Sequence, residues 1–453
     1  MNTIAVDCGA SFIKGALLSE GRICRKIKRQ APGIPKNRDL FSAGWINSLL
    51  DLVRNMILEL GGSEREAVLC ISNEMHGFLL AYTDGTPLTD YISWQEELGA
   101  VEIDGQSSLS ILGSRELNRE ICRTGMNLRN GLPSCNLLYL HRTGALKKCT
   151  KQIYFYTLGD FILRSLSGKN PVCHPTNAAA SGLYDIVSGT WNRKLMQAAC
   201  ADHISFISVG RGCERLSFQL ENMTLCAFPA VGDQQAALLG SGLSDEKTLS
   251  FNLGTGAQVS MLAGDLVFSK EYQIRPYFGG RSIKTVPHIP SGRALNVYFR
   301  FVKDLLDRLG ADVADDDIWK VFMQQEPQRA AAAPEIKCDL SFFDNAVTDN
   351  RTGSIYNIGE YDFTIGNLMS AAVKQMAENA VLCAQRMGVR QENIARIIFS
   401  GGIARRFEAV RNQIVGNYPN VQQCEVAEDE TLMGLYRYSE MLFGERGKKN
   451  EFE

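Results

Sequence analysis

The feature that most constrains the fold of this chain is a strand–turn–strand pattern that occurs twice. It begins at Thr3 as TIAVDCGASFIKGAL and returns at Thr248 as TLSFNLGTGAQVSML, an offset of 248 minus 3, or 245 residues. In each copy a turn of small residues joins two apolar runs, as in a hairpin of buried strands. Unless two apolar hairpins match by chance, the repeat predicts two similar α/β domains whose hairpin turns face a shared cleft.

Length and composition narrow the functional classes. A chain of 453 residues is longer than one ordinary core and predicts two or three domains. A formal net charge of -2, with no basic block, argues against a nucleic acid or an anionic membrane as partner. The thirteen cysteines include no C-x-x-C pair and are expected to be reduced, and five histidines at no zinc-site spacing argue against a zinc centre. No leader or membrane span is recognisable, so a cytoplasmic protein is expected.

The polar residues of the first hairpin allow two interpretations each. Asp7 is either a turn former or one wall of an anion or metal site. Lys14, inside an apolar strand, either extends to solvent at an edge or meets an anion. Neither a P-loop nor a G-x-G-x-x-G motif occurs in the sequence, so a nucleotide would have to be held by backbone N–H groups of glycine-containing turns.

Three other stretches carry residues with chemical potential. In GDQQAALLGSG, Asp233 is either a helix N-cap or a general base that accepts a proton from a hydroxyl, and Gln234 could bond a polyol. In SGGIARR, Gly401 and Gly402 follow a buried strand at the start of a helix. The free backbone N–H groups there either favour a phosphate or let a flat base lie against the backbone. His76 in SNEMHGF reads as a structural histidine or a ligand contact.

Three further stretches complete the sequence pattern. Trp94 in ISWQEE is either a core residue or an apolar face for a sugar. The segment 322–339, with an alanine run between prolines, is expected to be a surface connection. The boundary between the two halves is expected near LLGSGLSDEKT, where small and charged residues separate a helix from the second hairpin.

Taken together and in order, these stretches resemble the FGGY carbohydrate kinases, which belong to the actin-like, ribonuclease H-like ATPase superfamily. The resemblance runs along nearly the whole chain. The segments that carry it are DCGASFIKG, SNEMHGF, ISWQEE, RTGMNLRNGLPSCNLLYL, PTNAAASGLYDIVSGTWN, GDQQAALLGSG, NLGTGAQVS and FSGGIARRFEAVRNQI. It implies an α/β fold of two similar actin-like domains with a catalytic cleft between them, the first over 1–243 and the second over 244–453.

The resemblance also implies ATP and Mg²⁺ as cofactors, a small sugar as substrate, and a role for each matching residue. The implied roles are Mg²⁺ binding for Asp7, triphosphate contacts for Ser11, Lys14, Gly254 and Thr255, nucleotide contacts for Gly292, Asn296, Gly401 and Gly402, and sugar contacts for Met75, His76, Trp94, Asp233 and Gln234. Asp233 would also be the general base. The oligomeric state stays open, with a homodimer as one alternative.

Departures from the family pattern bear on the substrate. Ala10 stands where the family usually has Thr, Glu96 replaces an Asp and Leu98 an Arg. Met75 and His76 replace the Arg-Glu pair of glycerol kinases, so a ketose is expected, with sedoheptulose preferred and xylulose or another polyol as the alternative. Other classes of function remain open: a non-catalytic nucleotide-binding switch, which would not need Asp233 or the His76 segment, and a hydrolase of the same superfamily, which would need no sugar.

Overall fold

The computed structural model describes residues 2–34, 38–147, 151–324, 335–424 and 429–449. The N-terminal half contains one large β-sheet and smaller ones, linked by helices. Its elements are β1 (Thr3–Cys8), β2 (Phe12–Ser19), β3 (Arg22–Gln30), α1 (Gly44–Gly61), β4 (Glu66–Asn73), β5 (Leu79–Tyr82), β6 (Glu102–Ile103), β7 (Gln106–Ser107), α2 (Ser108–Leu112), α3 (Asn118–Arg123), α4 (Pro133–Arg142), β8 (Ile153–Tyr156), α5 (Leu158–Ser167), α6 (Pro175–Ala179), β9 (Tyr184–Asp185), β10 (Thr190–Trp191), α7 (Arg193–Ala198), β11 (Ser205–Phe206), β12 (Leu216–Leu220), β13 (Met223–Ala227), β14 (Val231–Gly232) and α8 (Asp233–Ser241).

The C-terminal half repeats the sheet-and-helix plan of the N-terminal half. Its elements are β15 (Thr248–Leu253), β16 (Gly256–Ala263), β17 (Gln273–Pro276), β18 (Ser282–Pro290), α9 (Gly292–Arg308), α10 (Asp315–Gln324), β19 (Lys337–Asp339), β20 (Ser354–Tyr356), α11 (Ile365–Arg386), β21 (Arg396–Ser400), α12 (Gly402–Arg406), α13 (Glu408–Val415), β22 (Gln422–Cys424) and α14 (Glu430–Lys449). The surface connection expected around the alanine run lies mainly at 325–334, outside the described residues.

The two main sheets share the order of five strands, β3-β2-β1-β4-β13 in the first and β18-β16-β15-β21-β22 in the second, which confirms the domain-sized repeat; their outermost added strands, β12 and β17, lie at opposite edges. The first has the order β12-β13-β4-β1-β2-β3, with β14 also paired to β4, and the second the order β17-β18-β16-β15-β21-β22. In each, the first strand pairs antiparallel with the second strand of its hairpin and parallel with a later strand, β4 or β21. Because parallel neighbours end at the same edge, both hairpin turns and the segments after β4 and β21 are brought to the cleft edge of each sheet.

Helices pack against the two main sheets: α1 against β1, β2 and β3, α9 against β16, and α11 against β16 and β18. Apolar residues recur at helical spacing along the sequences of α1, α9 and α11. α11 ends at Arg386, and Gly388 two residues later has a left-handed φ of 84°, as expected of a C-terminal cap. The helix predicted after the Gly-Gly turn is interrupted at Phe407 and forms α12 and α13.

The last helix, α14, returns to the N-terminal half and packs along α8, β1 and β4. Gly240 of α8 and Gly434 of α14 allow this close approach, since a Cβ on either would collide with backbone of the other helix. Leu238 and Leu239 of α8 share a buried cluster with Leu432 of α14. The helix that begins at Asp233 is therefore held against the N-terminal sheet by α14. Among the described helices, no segment combines the length and apolarity needed to cross a bilayer.

Candidate active site

A cavity of about 510 Å³ opens between the two main sheets. Its walls come from both hairpins, the segment after β4, the start of α8, and the β17–β18 pair. The lining residues are Asp7, Gly9, Ala10, Glu74, Met75, His76, Trp94, Arg129, Asp233, Gln234, Ala237, Asn252, Gly256, Ala257, Gln258, Arg275, Pro287, His288 and Thr431. The cavity therefore brings together Asp7 with all five residues expected to contact the sugar.

Asp7 lies at the end of β1, buried to 7% exposure, and faces the cavity. The Ser72 hydroxyl of β4 donates to its Oδ1 at 2.9 Å, and Lys14 lies directly opposite it on β2. Burial raises the pKa of the Asp7 carboxyl, while Lys14 and the Ser72 hydrogen bond lower it. One carboxylate oxygen is left for a ligand. A single protein carboxylate, completed by water and phosphate oxygens, suits the octahedral preference of Mg²⁺, so this residue fits the expected metal.

Asp233 is the first residue of α8 rather than its N-cap, which is Gly232, so the simple capping interpretation is wrong. Its Oδ1 accepts the backbone N–H of Gln234 at 2.7 Å. Burial raises the pKa of Asp233 to about 7, with Asp7 and Glu74 adding to the rise and Arg275 opposing it. A carboxyl with a pKa near neutrality can both accept and hold a proton at physiological pH, which is the property that a general base needs.

His76 lies in the turn between β4 and β5 and is buried in the cavity wall. Its Nδ1 is 2.9 Å from the carbonyl oxygen of Ala180, so Nδ1 carries the proton and Nε2 is an acceptor. Burial, reinforced by Arg129 and Arg275, lowers the pKa of His76 well below its usual value, so the ring is neutral. His76 and His288 both have left-handed φ angles, 69° and 62°, and strained backbone of this kind concentrates at ligand sites.

Glu74, Met75 and Trp94 surround His76. Burial raises the pKa of the Glu74 carboxyl, and the nearby polar groups of Tyr91 and Trp94 lower it. The half-buried indole of Trp94 offers an apolar face to the cavity. Met75 is buried, and its sulfur lies 3.9 Å from Nη1 of Arg275. A neutral imidazole, a carboxyl and an aromatic face form a suitable set for hydroxyl-bearing ligands.

Gln234 lines the cavity, but both ends of its amide already have protein partners. Its Oε1 accepts from Arg275, and its Nε2 donates to the Thr285 hydroxyl at 3.1 Å. One amide N–H is left for a ligand. Its main role in this arrangement is to hold the Arg275 guanidinium in place.

The residues expected to hold the nucleotide meet behind the second hairpin turn rather than in the cavity wall. The backbone N–H of Gly292 donates to the carbonyl of Gly254 at 3.1 Å, and that of Arg293 to Thr255 at 2.7 Å. Gly401 has a φ of 89°, and a Cβ there would collide with the carbonyl oxygen of Leu253. The second turn, the start of α9 and the β21–α12 turn thus converge on one point.

The remaining expected nucleotide residues are placed at the margins of this point. Gly402 begins α12, and a Cβ there would have open space around it. Asn296 is exposed on α9, about one turn beyond Gly292. Ser11 is exposed in the first turn, and Lys14 is half-buried beside Asp7 without lining the cavity.

Sequence reasoning missed the cationic side of the cavity, formed by Arg129 and Arg275 with the neutral His288 beside them. Arg275 is 5% exposed within β17, and Arg129 lies in the loop before α4. Because β17 has the sequence QIRP, of mixed polarity, its arginine does not stand out as Lys14 does in an apolar strand. Arg129 lies in RTGMNLRNGLPSCNLLYL, a segment that carries the family resemblance but to which no residue role was attached.

The departures from the family pattern have clear structural consequences. Glu96 lies outside the cavity lining and pairs with Arg38, with 2.8 Å between Oε1 and Nη2. It also accepts the backbone N–H of Ser93 at 2.9 Å, which shapes the turn that presents Trp94. Ala10 faces the cavity with a methyl group in place of a hydroxyl.

Comparison with known proteins agrees with this architecture. A model of the N-terminal domain of the FGGY family of carbohydrate kinases matches residues 2–240. Among curated proteins, glycerol kinase of Rhizobium rhizogenes is 27% identical over 198 residues, 41% of this chain and 38% of that protein. Xylulose kinase of Staphylococcus xylosus is 22% identical over 196 residues, 41% of this chain and 39% of that protein. The chain thus aligns with about two fifths of the length of these curated relatives.

Solved structures extend the likeness to the whole fold. Xylulose kinase and gluconate kinase, both from Lactobacillus acidophilus, each superpose with a TM-score of 0.80 at 16% identity. They cover 98% of this chain, and the matches span 89% and 90% of those chains. Plasmodium falciparum glycerol kinase with ADP gives a TM-score of 0.76 at 16% identity, over 98% of this chain and 89% of that one. The expected pair of actin-like domains is confirmed. Because the family model covers more than half of the chain, the protein belongs to the FGGY family of carbohydrate kinases.

Proposed function

We propose that this protein transfers the γ-phosphoryl group of ATP to a hydroxyl of a sugar, with Asp233 as general base. The observation that carries the proposal is the shared cavity. It holds Asp233, whose pKa is raised to about 7, together with Asp7 and the sugar-facing pair His76 and Trp94. The family membership supports the class of reaction, and the fold-level likeness to a glycerol kinase solved with ADP supports an adenine nucleotide as donor.

The proposed step is an in-line displacement. Asp233 accepts the proton of the acceptor hydroxyl, and that oxygen forms a bond to the γ-phosphorus as the bond to the β–γ bridging oxygen breaks and ADP leaves. Backbone N–H groups of the two hairpin turns, around Gly9 and Gly254, would contact phosphate oxygens. His76 Nε2 would accept a hydrogen bond from the sugar and orient it. The low exposure of Asp7 and His76 indicates a site from which closure would exclude most water.

Asp7 would hold Mg²⁺ at the triphosphate, because it is the carboxylate on the hairpin that also carries Lys14. When bound, the metal supplies neutralisation of charge on the phosphoryl oxygens. This chain's contribution is to keep the Asp7 carboxylate ionised and aimed, through the Ser72 hydroxyl and the Lys14 ammonium.

The sugar itself is a finer question. The sequence resemblance favours sedoheptulose as the substrate. The relatives named above include xylulose and glycerol kinases, so xylulose fits equally well. Met75 and His76, where glycerol kinases have Arg and Glu, favour a ketose over glycerol. Neighbouring chain lengths differ by only about 1–3 kcal/mol in a pocket, so a panel of acceptors is needed.

The test is ADP release, coupled to an optical readout, with Mg-ATP and a panel of heptuloses, pentuloses, hexuloses and polyols. We expect acceptor-dependent ADP release and an acceptor heavier by one phosphoryl group in the mass spectrum. ADP or phosphate release that needs no acceptor would favour a hydrolase instead. Nucleotide binding without any turnover across the panel would favour the alternative of a non-catalytic, actin-like switch.

A further inference from the structure

The cavity contains a cluster of positive charge that the proposed reaction does not use. Arg275 is 5% exposed, and its acceptors are neutral: Nε and Nη2 donate to Gln273 Oε1 at 2.9 and 2.6 Å, and Nη1 to Gln234 Oε1. Among the described residues, no carboxylate lies within ion-pair distance of Arg275 or of Arg129. Asp233 and Glu97 act on Arg275 and Arg129 at longer range, each raising the pKa of its arginine against the larger effect of burial. A buried guanidinium is costly unless an anion compensates it, and these carboxylates compensate the two charges only in part.

Arg129 stands beside Arg275 and is also incompletely partnered. Its Nη1 donates to Nε2 of His288 at 2.8 Å, which fixes His288 as a neutral acceptor at that nitrogen. Its Nε is buried without a partner. The two guanidinia repel each other: burial and Arg129 lower the pKa of Arg275 to about 9, and burial lowers that of Arg129 to about 10. Both remain charged at neutral pH.

The cluster lies on the sugar side of the cavity. The Arg129 guanidinium carbon lies 5.9 Å from the centroid of the Trp94 ring, and Arg275 contacts Met75 and Gln234. The first hairpin turn contributes no residue to the cluster, whereas the second adjoins it, because Ala257 pairs with Ile289 next to His288. A second cavity of about 1040 Å³ adjoins this side and shares Trp94, Arg129 and His288, so there is room for a longer acceptor.

We propose that the acceptor is an acidic sugar whose oxyanion, a carboxylate or a phosphate, binds between Arg129 and Arg275. A planar guanidinium presents a fork of N–H donors that matches the two oxygens of such a group. The sugar chain would then extend along Trp94 and place a hydroxyl at Asp233. This inference rests on the proposed kinase activity. It names a charged sugar as the acceptor in place of a neutral ketose.

The test compares kcat/KM for four acceptors of six carbons: a neutral ketose, the neutral polyol, a sugar acid and a sugar monophosphate. We expect at least one charged acceptor to exceed both neutral ones by about tenfold or more, as charge-assisted hydrogen bonds would give. A preference for the sugar acid would identify the oxyanion as a carboxylate, and a preference for the sugar monophosphate would identify it as a phosphate. Neutral acceptors used as well as charged ones would overturn the inference and leave the kinase activity standing. No turnover with any acceptor would instead contradict the proposed function.

Variants link the selectivity to the two arginines. Arg275→Gln and Arg129→Gln are each expected to lower the charged-to-neutral ratio of kcat/KM by about tenfold to a hundredfold, and Arg129→Lys by less. Arg54→Gln is the matched control, because it removes an exposed guanidinium that pairs with Glu221 far from the cavity. Calorimetry with the charged acceptor and no ATP gives a readout besides activity. The inference would be overturned if both Gln variants leave the charged-to-neutral ratio of kcat/KM and the binding constant unchanged. If Arg275→Gln does not fold, Arg129→Gln still tests the inference, because Arg129 is half-buried.

Discussion

Asp7 and Lys14 lie directly opposite each other across the first hairpin, whereas Asn252 and Gln258 occupy the corresponding pair of the second. The same backbone design therefore carries a charged pair on one side of the cleft and a neutral amide pair on the other. The second turn is also one residue shorter, since its paired residues are six apart instead of seven. This difference is why we propose the metal at the first hairpin and backbone contacts with phosphate at the second.

The first prediction concerns the metal. Asp7→Asn should raise the Mg²⁺ concentration for half-maximal activity by at least about tenfold, because it removes the carboxylate that a hard divalent cation prefers. Ser72→Ala is the matched control. It removes one hydrogen bond to Asp7 and keeps the charge, so its shift should be much smaller. Titration of activity with Mg²⁺ at fixed ATP measures both, and equal behaviour of Asp7→Asn and the wild type would exclude Asp7 as the metal residue.

The second prediction is the pH dependence of kcat/KM for the acceptor. A base must be ionised to accept a proton, and burial together with Asp7 raises the pKa of Asp233 to about 7. The rate constant should therefore fall as the pH drops through about 7, by tenfold per unit on the acid side. The residual activity of Asp233→Asn should lack this inflection. An inflection that both proteins share would come from titration of ATP instead. A midpoint near 4 in the wild type would mean that Asp233 is not perturbed.

The third prediction concerns stability. Because the pKa of Asp233 is higher in the folded protein than its ordinary value of 3.8, its contribution to stability is present below about pH 4 and is lost as the pH rises through about 7. Asp233→Asn should therefore be more stable than the wild type at pH 8, by about 1–2 kcal/mol, since one pKa unit corresponds to about 1.4 kcal/mol and the cavity solvates part of the charge. Thermal unfolding at pH 8 and pH 5 should show this advantage shrinking at the lower pH. A constant difference would refute the proposed ionisation.

The fourth prediction uses two adjacent glycines as a pair. Gly401→Ala places a Cβ against the Leu253 carbonyl at a φ of 89° and should lower stability by about 1–3 kcal/mol while raising KM for ATP. Gly402→Ala should change stability little, because open space surrounds that position in the folded chain, but it should raise KM for ATP, because the implied nucleotide contact uses that space. ATP titration and thermal unfolding of the two variants make the comparison. An unchanged KM for ATP in both variants would separate the glycine turn from nucleotide binding.

The fold was largely predictable from the sequence because its main information is local and repeated. The apolar period of two around Asp7 and Asn252 defines both hairpins, and the helical periods around 42–60 and 364–388 define α1 and α11. The return of α14 onto α8 was not predicted, since it depends on two glycines 194 residues apart, at 240 and 434, that only the folded chain brings together.

The candidate site was predictable where a single stretch carries its chemistry. His76, Trp94 and Asp233 were each identified within a motif, and the structure brings them to one cavity. The cationic cluster was not, because Arg129 and Arg275 are 146 residues apart and neither was given a role, although Arg129 lies in a segment that carries the family resemblance. The sequence also left Gln234 free to bond a sugar, whereas in the fold its carbonyl is taken by Arg275.

The most direct test of the account is a single-turnover measurement of phosphoryl transfer from Mg-ATP to the best acceptor, by the wild type and by Asp233→Asn. Binding of ATP and acceptor to each is measured separately by calorimetry. The account predicts transfer at least about 10²-fold slower in the variant, with both ligands still bound, because the variant keeps the shape of the site and loses the proton acceptor. Transfer at the wild-type rate in Asp233→Asn would contradict the central claim that Asp233 is the base.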